Sequence, residues 1–175
     1  MKKLFALVLA LCLLCGCAAM AETATNEITW EQVAPMVEAG NVAGQFYTFD
    51  QIAMAIWIPE GLAPAELPGE EYIGYFTPTD GSEGAVAVCY VDMKGADLAA
   101  YKEEVEKAGG TEIEDGTVNG LPCITYTLAE QKTGCVAFAT EAGYILEVAI
   151  APIDSEEANM AASVIIASIQ PVTAE

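Results

Sequence analysis

Histidine and arginine are both missing from the 175 residues, and lysine occurs only six times. Without histidine, Ser-His-Asp and Cys-His nucleophilic catalysis lose their general base, and imidazole-based zinc sites lose their ligands. Without arginine, phosphate recognition loses its forked guanidinium. Neither GxxxxGK nor GxGxxG occurs to supply a backbone cradle instead. Long apolar runs are scarce too: beyond residue 14, no stretch approaches membrane-spanning length without a polar interruption. Nucleic acid and anionic headgroups are bound through clustered Lys and Arg, so both are excluded as partners.

What is present begins with an address. Lys2 and Lys3 followed by the apolar run 4–14 and then small residues have the layout of a secretory signal, too short to span a membrane. Two processing readings compete. Leu14-Cys15-Gly16-Cys17 resembles a bacterial lipobox, with Cys17 as the lipidated residue, although Cys15 departs from the small residue usual there. Ala19-Met20-Ala21 instead fits an ordinary signal-peptidase site, with Glu22 opening a secreted protein. In the plainest reading, Cys12, Cys15 and Cys17 are apolar filler. Either way the expected location is extracytoplasmic, with contact to the membrane only through an N-terminal lipid. Loss of Lys2 and Lys3 with the signal leaves four lysines against 26 carboxylates, a net charge of −22. Attraction of cations or a basic partner is one reading of that acidity, and solubility outside the cell is the blander one.

Length and composition suit one domain. Residues 1–21 are the signal (to 16 if Cys17 is lipidated), 22–28 a polar leader or tether, and 29–171 the domain. Thr29 with Gln32 has capping-box spacing, so a helix begins at Trp30 and ends near Gly40, short, kinked or broken by Pro35. From Gly44 the period becomes two, giving strands over 45–49 and 52–58. Residues 60–71, with Pro64, Pro68 and four carboxylates, read as an exposed loop. Strands follow over 72–77 and 85–91, the latter apolar on both faces and so interior to a sheet. A helix over 95–110 is capped by Asp97 and stopped by Gly109. Residues 117–152 form a meander turned first at Asn119-Gly120, and a last helix over 155–170 lies flat on the sheet.

The strand faces imply layers. Val86, Val88 and Tyr90; Ile124, Tyr126 and Leu128; and Leu146, Val148 and Ile150 place bulk on one side, with Val136 and Phe138 matching. Alanines, threonines and all three mature cysteines, Cys89, Cys123 and Cys135, fall on the other. The fold class is α+β, an antiparallel β-sheet with helices on both faces, an α/β/α sandwich with one helix docked on the small-residue side. A cystatin-like arrangement is the alternative. Cys123 and Cys135 are out of register for a disulfide, and a bond from Cys89 to one of them stays open.

Little in the sequence points to a site. The 26 carboxylates make proximity of two nearly certain, so a carboxylate-dependent hydrolase acting on a surface polymer is an alternative that carries little weight. Asp80-Gly81-Ser82-Glu83-Gly84 lacks the acidic spacing of a calcium loop and reads as a turn. No metal or cofactor is implied. Trp57, which breaks the small-residue pattern, and Tyr72 and Tyr75, which follow the acidic loop, are the candidate binding residues for an envelope protein or a small ligand. Core and edge packing is their ordinary reading.

Over residues 45–170 the chain resembles the PsbP-like family, found in extrinsic photosystem proteins, a Ran-binding nuclear import factor and many bacterial lipoproteins. The resemblance lies in Ile58-Pro59-Glu60-Gly61-Leu62, Asp97-Leu98-Ala99-Ala100-Tyr101, Val118-Asn119-Gly120-Leu121-Pro122 and Ala142-Gly143-Tyr144. It implies a binding or assembly role, not catalysis. The leading helix from Trp30 and the absence of arginine depart from the family pattern.

Overall fold

Asn119 and Gly120 have φ of 47° and 79°, the two positive values that a type I′ hairpin turn requires, and Val118 pairs directly with Leu121. This turn joins β7 (Thr111–Val118) to β8 (Leu121–Leu128). A single 3₁₀ turn, Ala129–Gln131, ending at left-handed Lys132, returns the chain into β9 (Thr133–Ala139), and β10 (Tyr144–Ala151) completes the meander. The computed structural model describes residues 26–49, 51–95, 97–140 and 143–172. The expected signal, with Cys17, lies outside them.

The meander occupies the middle of an eight-stranded sheet. Before it in the chain come β1 (Asn26–Ile28), β2 (Gly44–Phe49), β3 (Met54–Pro59), β4 (Leu62–Pro64), β5 (Tyr72–Pro78) and β6 (Ala85–Asp92). The large sheet has the order β1-β7-β8-β9-β10-β6-β5-β4. All its pairs are antiparallel except β1 with β7. The polar leader is therefore corrected: its last residues, 26–28, are a strand at the sheet edge, satisfying the backbone of Gly116–Val118. Residues 62–64, expected within an exposed loop, likewise form β4 against Phe76–Pro78.

The helices are α1 (Trp30–Ala39), α2 (Leu98–Lys107) and α3 (Glu156–Ala167). Their caps are those the sequence indicates. Asp97 accepts from Ala100 N at 2.9 Å, Ser155 accepts from Ala158 N at 3.1 Å, and Gln32 Oε1 accepts from Thr29 N at 3.2 Å. Pro35 does not break α1; its missing N–H removes only the bond to the Glu31 carbonyl, and the helix runs continuously for 10 residues.

Helices lie on both faces of the large sheet, but one face carries more than a helix. There α3 sits beside a second sheet of order β11-β3-β2, in which β11 is Gln170–Pro171. Ile56 and Ile58 of β3, Val88 of β6, Val136 of β9, Val148 of β10 and Ile165 of α3 are all at most 2% exposed in this main core. Each such side chain contributes about 1.5–3 kcal/mol by leaving water. On the opposite face α2 covers β7, β8 and β9, and Val105 meets Ile124, Tyr126, Cys135, Ala137 and Ile145.

That second core corrects the face assignment. In β6, β9 and β10 the bulky residues do point to the main core. In β8 they point the other way, toward α2. Register is the cause: Ile124 pairs with Ala137 and Tyr126 with Cys135, and directly opposed residues share a face. Large β8 side chains thus fill the space that small β9 side chains leave. Cys123 is thereby turned into the main core, away from Cys89 and Cys135. All three thiols are free. Cys135 pairs with Ala149 of β10 and Cys89 with Glu147 of the same strand. Two strand spacings, about 9–10 Å, therefore separate them, beyond disulfide reach.

Two polar side chains tie the layers together. Asn119 Nδ2 donates to Ala167 O and Ile169 O, both at 2.8 Å, while its Oδ1 accepts from Trp30 N at 2.8 Å. Its backbone N–H donates to Ile28 O. Ser168, fully buried, donates to Ile165 O at 2.6 Å and accepts from Trp57 N at 2.9 Å. Asn119→Gly keeps the turn conformation but leaves three backbone groups without their partner. It should cost about 2–4 kcal/mol in urea unfolding, whereas Gly at a solvent-facing turn position would be nearly neutral.

Candidate functional site

Trp30 and Trp57 are the only tryptophans in the chain, and the fold brings them together although the sequence separates them by a helix, a loop and a strand. Trp30 opens α1, held there by the Asn119 amide. Trp57 sits in β3, its backbone held by Ser168. The indoles lie 5.8 Å apart at 38°, and Phe46, paired with Trp57 across β2–β3, meets Trp30 edge-on at 5.4 Å. Offset and edge-on contacts of this kind suit the charge distribution of aromatic rings.

Beside this cluster, between α1, the 41–43 connection and the start of β2, is a groove of about 680 Å³. Gly44 lets the Trp57 indole lie against the β2 backbone: a Cβ there would stand 2.4 Å from the indole Cζ2. Phe46 is 41% exposed and Val42 50%, so the groove presents apolar surface to solvent. Glu38 and Glu60 stand on its rim. It has the size of a ligand site, lined by aromatic and aliphatic side chains together with the polar Glu38, Asn41, Gln45 and Glu60. Trp57 was legible as a candidate, while Trp30, Phe46, Glu38 and Glu60 were not. The only signal for Trp30 was the rarity of tryptophan itself.

Tyr72 and Tyr75 lie elsewhere. They meet edge-on at 6.2 Å and pair with Cys89 and Ala87, which places them on the α2 side of the large sheet, across it from Trp57. In the same region Tyr101 of α2 and Tyr126 of β8 both donate to Glu147 Oε2. Burial, then the Glu147 charge, pushes both hydroxyls well above the usual tyrosine range. Cys89 and Cys135 are pushed up to about 12, by burial first and then by Glu147. Burial, helped by Asp115, puts Cys123 at about 11. Thiols of this kind stay protonated at neutral pH and are poor nucleophiles. The cluster fastens α2 to the sheet.

A second trough, about 410 Å³, runs between α3 and the start of β7, with Glu112 and Glu114 on one side and Asn159 and Ser163 on the other. A bulge between Thr111 and Glu114 lets Glu112 accept from Thr127 Oγ1 at 3.1 Å. The loop at Asp80 is a turn, closed by Ser82 N and Oγ donating to Asp80 Oδ1.

An eight-stranded, largely antiparallel sheet with α2 on one face, and α3 with a small sheet on the other, is a PsbP-like fold, not a cystatin-like one. No family model matches the sequence, and no curated protein does. Among solved structures the chain is similar to cyanobacterial PsbP (CyanoP) from Synechocystis, with a TM-score of 0.52 at 8% identity over 74% of this chain and 93% of that one. It is also similar to the Ran-binding protein Mog1p of Saccharomyces cerevisiae, with a TM-score of 0.41 at 15% identity over 75% and 96% of the two chains.

The raised thiol and phenol groups fix a pH response. Their folded pKa values lie above the unfolded ones, so above pH about 9 the unfolded chain loses protons first and stability falls as pH rises. Urea unfolding under reductant should show little change between pH about 6 and 9 and a progressive loss toward pH about 12. Replacing Cys89 and Cys135 by alanine should flatten the slope.

Proposed function

We propose that the protein is a non-catalytic binding protein of the bacterial cell envelope, extracytoplasmic and tethered through lipid on Cys17. The observation that carries the binding role is the aromatic groove, where Phe46 is 41% exposed and Trp30 half-buried, both packed over the buried Trp57. Lys2, Lys3 and the apolar run 4–14 support the address. Among the described residues no helix is long and apolar enough to cross a membrane. The partner is an envelope protein or a small ligand entering the groove. Intact mass of the protein recovered from cells should correspond to a chain beginning at diacylated Cys17. A mass beginning at unmodified Glu22 would remove the tether and leave a secreted protein. Proximity labelling from the groove side on intact cells should return a reproducible neighbour, and its absence would count against the binding role.

The Glu112–Glu114 trough is the observation that keeps the alternative, carboxylate-dependent hydrolysis of a surface polymer, in view. Glycan degradation by the parent protein that disappears in Glu112→Gln/Glu114→Gln would replace the first reading. No activity in the parent removes the second.

A further inference from the structure

From the shape and charge around β2, we infer that the aromatic groove receives an extended peptide segment of a partner protein bearing lysine or arginine. The segment adds alongside β2 and sets its cationic side chain against Trp30 and Phe46, which pack over the buried Trp57. The inference deepens the binding reading above and rests on it.

Strand edges carry the first part of the argument. Among the described residues the two sheets have four edge strands, β1, β4, β11 and β2. Three are blunted in the way proteins protect edges: β1 has three residues, β4 has three including Pro64, and β11 has two including Pro171. β2 is different. Its six residues, GQFYTF, contain no proline and no charged side chain, and Gly44, Gln45, Phe46 and Thr48 are exposed. Its pairing with β3 is regular from end to end, so no bulge twists the outer side away. An unprotected strand of this length is the template that an added strand uses. Gly44, Gln45 and Phe46 also line the groove, so a peptide paired with β2 would pass directly over it.

Charge decides what the peptide carries. From residue 22 to residue 93 the chain has 12 carboxylates and no lysine or arginine. Glu38 and Glu60 stand at the groove with no cation among the lining residues. Three of the four lysines beyond the signal are engaged elsewhere, Lys102 with Asp115, Lys107 with Glu104 and Lys132 with Asp154. Aromatic faces flanked by carboxylates attract ammonium and guanidinium groups from two directions at once. The same acidity opposes pairing of β2 with the β2 of a second copy, because the two edges would bring like charges together.

Both tryptophans line the groove, so emission reports occupancy directly. The purified protein would be titrated with an acetylated hexapeptide alternating lysine and valine. Controls are the same peptide with glutamate for lysine, and acetyl-lysine amide alone. The alternating lysine peptide should shift tryptophan emission saturably, more strongly than either control, and hydrogen exchange of the Gly44–Phe49 amides should slow on binding. Glu38→Gln/Glu60→Gln, with an unchanged melting temperature, should weaken binding at least tenfold. Equal response to the glutamate peptide overturns the charge argument, and equal response to acetyl-lysine amide overturns strand addition. A concentration-dependent dimer that protects the same amides would hand the edge to a second copy and overturn the inference. If a neighbour found on cells binds the double variant undiminished, the inference fails while the binding reading survives.

Discussion

One carboxamide holds the layers in register. The Asn119 side chain uses both its donors on the carbonyls at the end of α3 and its acceptor on the first amide of α1. Those are groups that helix ends leave unpaired. The hairpin places this amide where it is needed because Asn tolerates the left-handed conformation that the turn demands. The meander therefore acts as more than scaffold for itself: its first turn sets where α1 begins, and so where Trp30 stands relative to Trp57.

Much of the fold was legible. Period-two patterning gave the strands of the meander, the cap at Asp97 placed α2, the helix expected over 155–170 matched α3, and Asn119-Gly120 gave the hairpin. Those signals are local, and local chemistry decides them. Two things escaped for the opposite reason. The inversion of β8 depends on which neighbour each face meets, and alternation within one strand cannot tell its two faces apart when both are covered. The groove depends on contacts between α1 and the β2–β3 hairpin, set by Asn119 from 89 residues away. No spacing rule relates such residues.

Polarity is divided unevenly. The half of the domain that holds the groove carries charge of negative sign only, while every lysine beyond the signal comes after residue 93. Three of those lysines are spent on surface pairs that add little to stability. The Glu147–tyrosine cluster, where burial makes hydrogen bonds count, is the polar contact that secures α2 instead.

The Asn119-Gly120 turn also makes the protein subject to chemical ageing. An asparagine before glycine is the sequence most prone to lose its side-chain nitrogen through attack by the following backbone amide. Here that nitrogen is gripped by two carbonyls at the end of α3, which holds the side chain in place while the domain is folded. Should the domain open, conversion to aspartate would install an acceptor-only group facing the carbonyls of Ala167 and Ile169. Refolding would then meet repulsion at the junction of three layers. Time spent unfolded would be recorded covalently at this one residue.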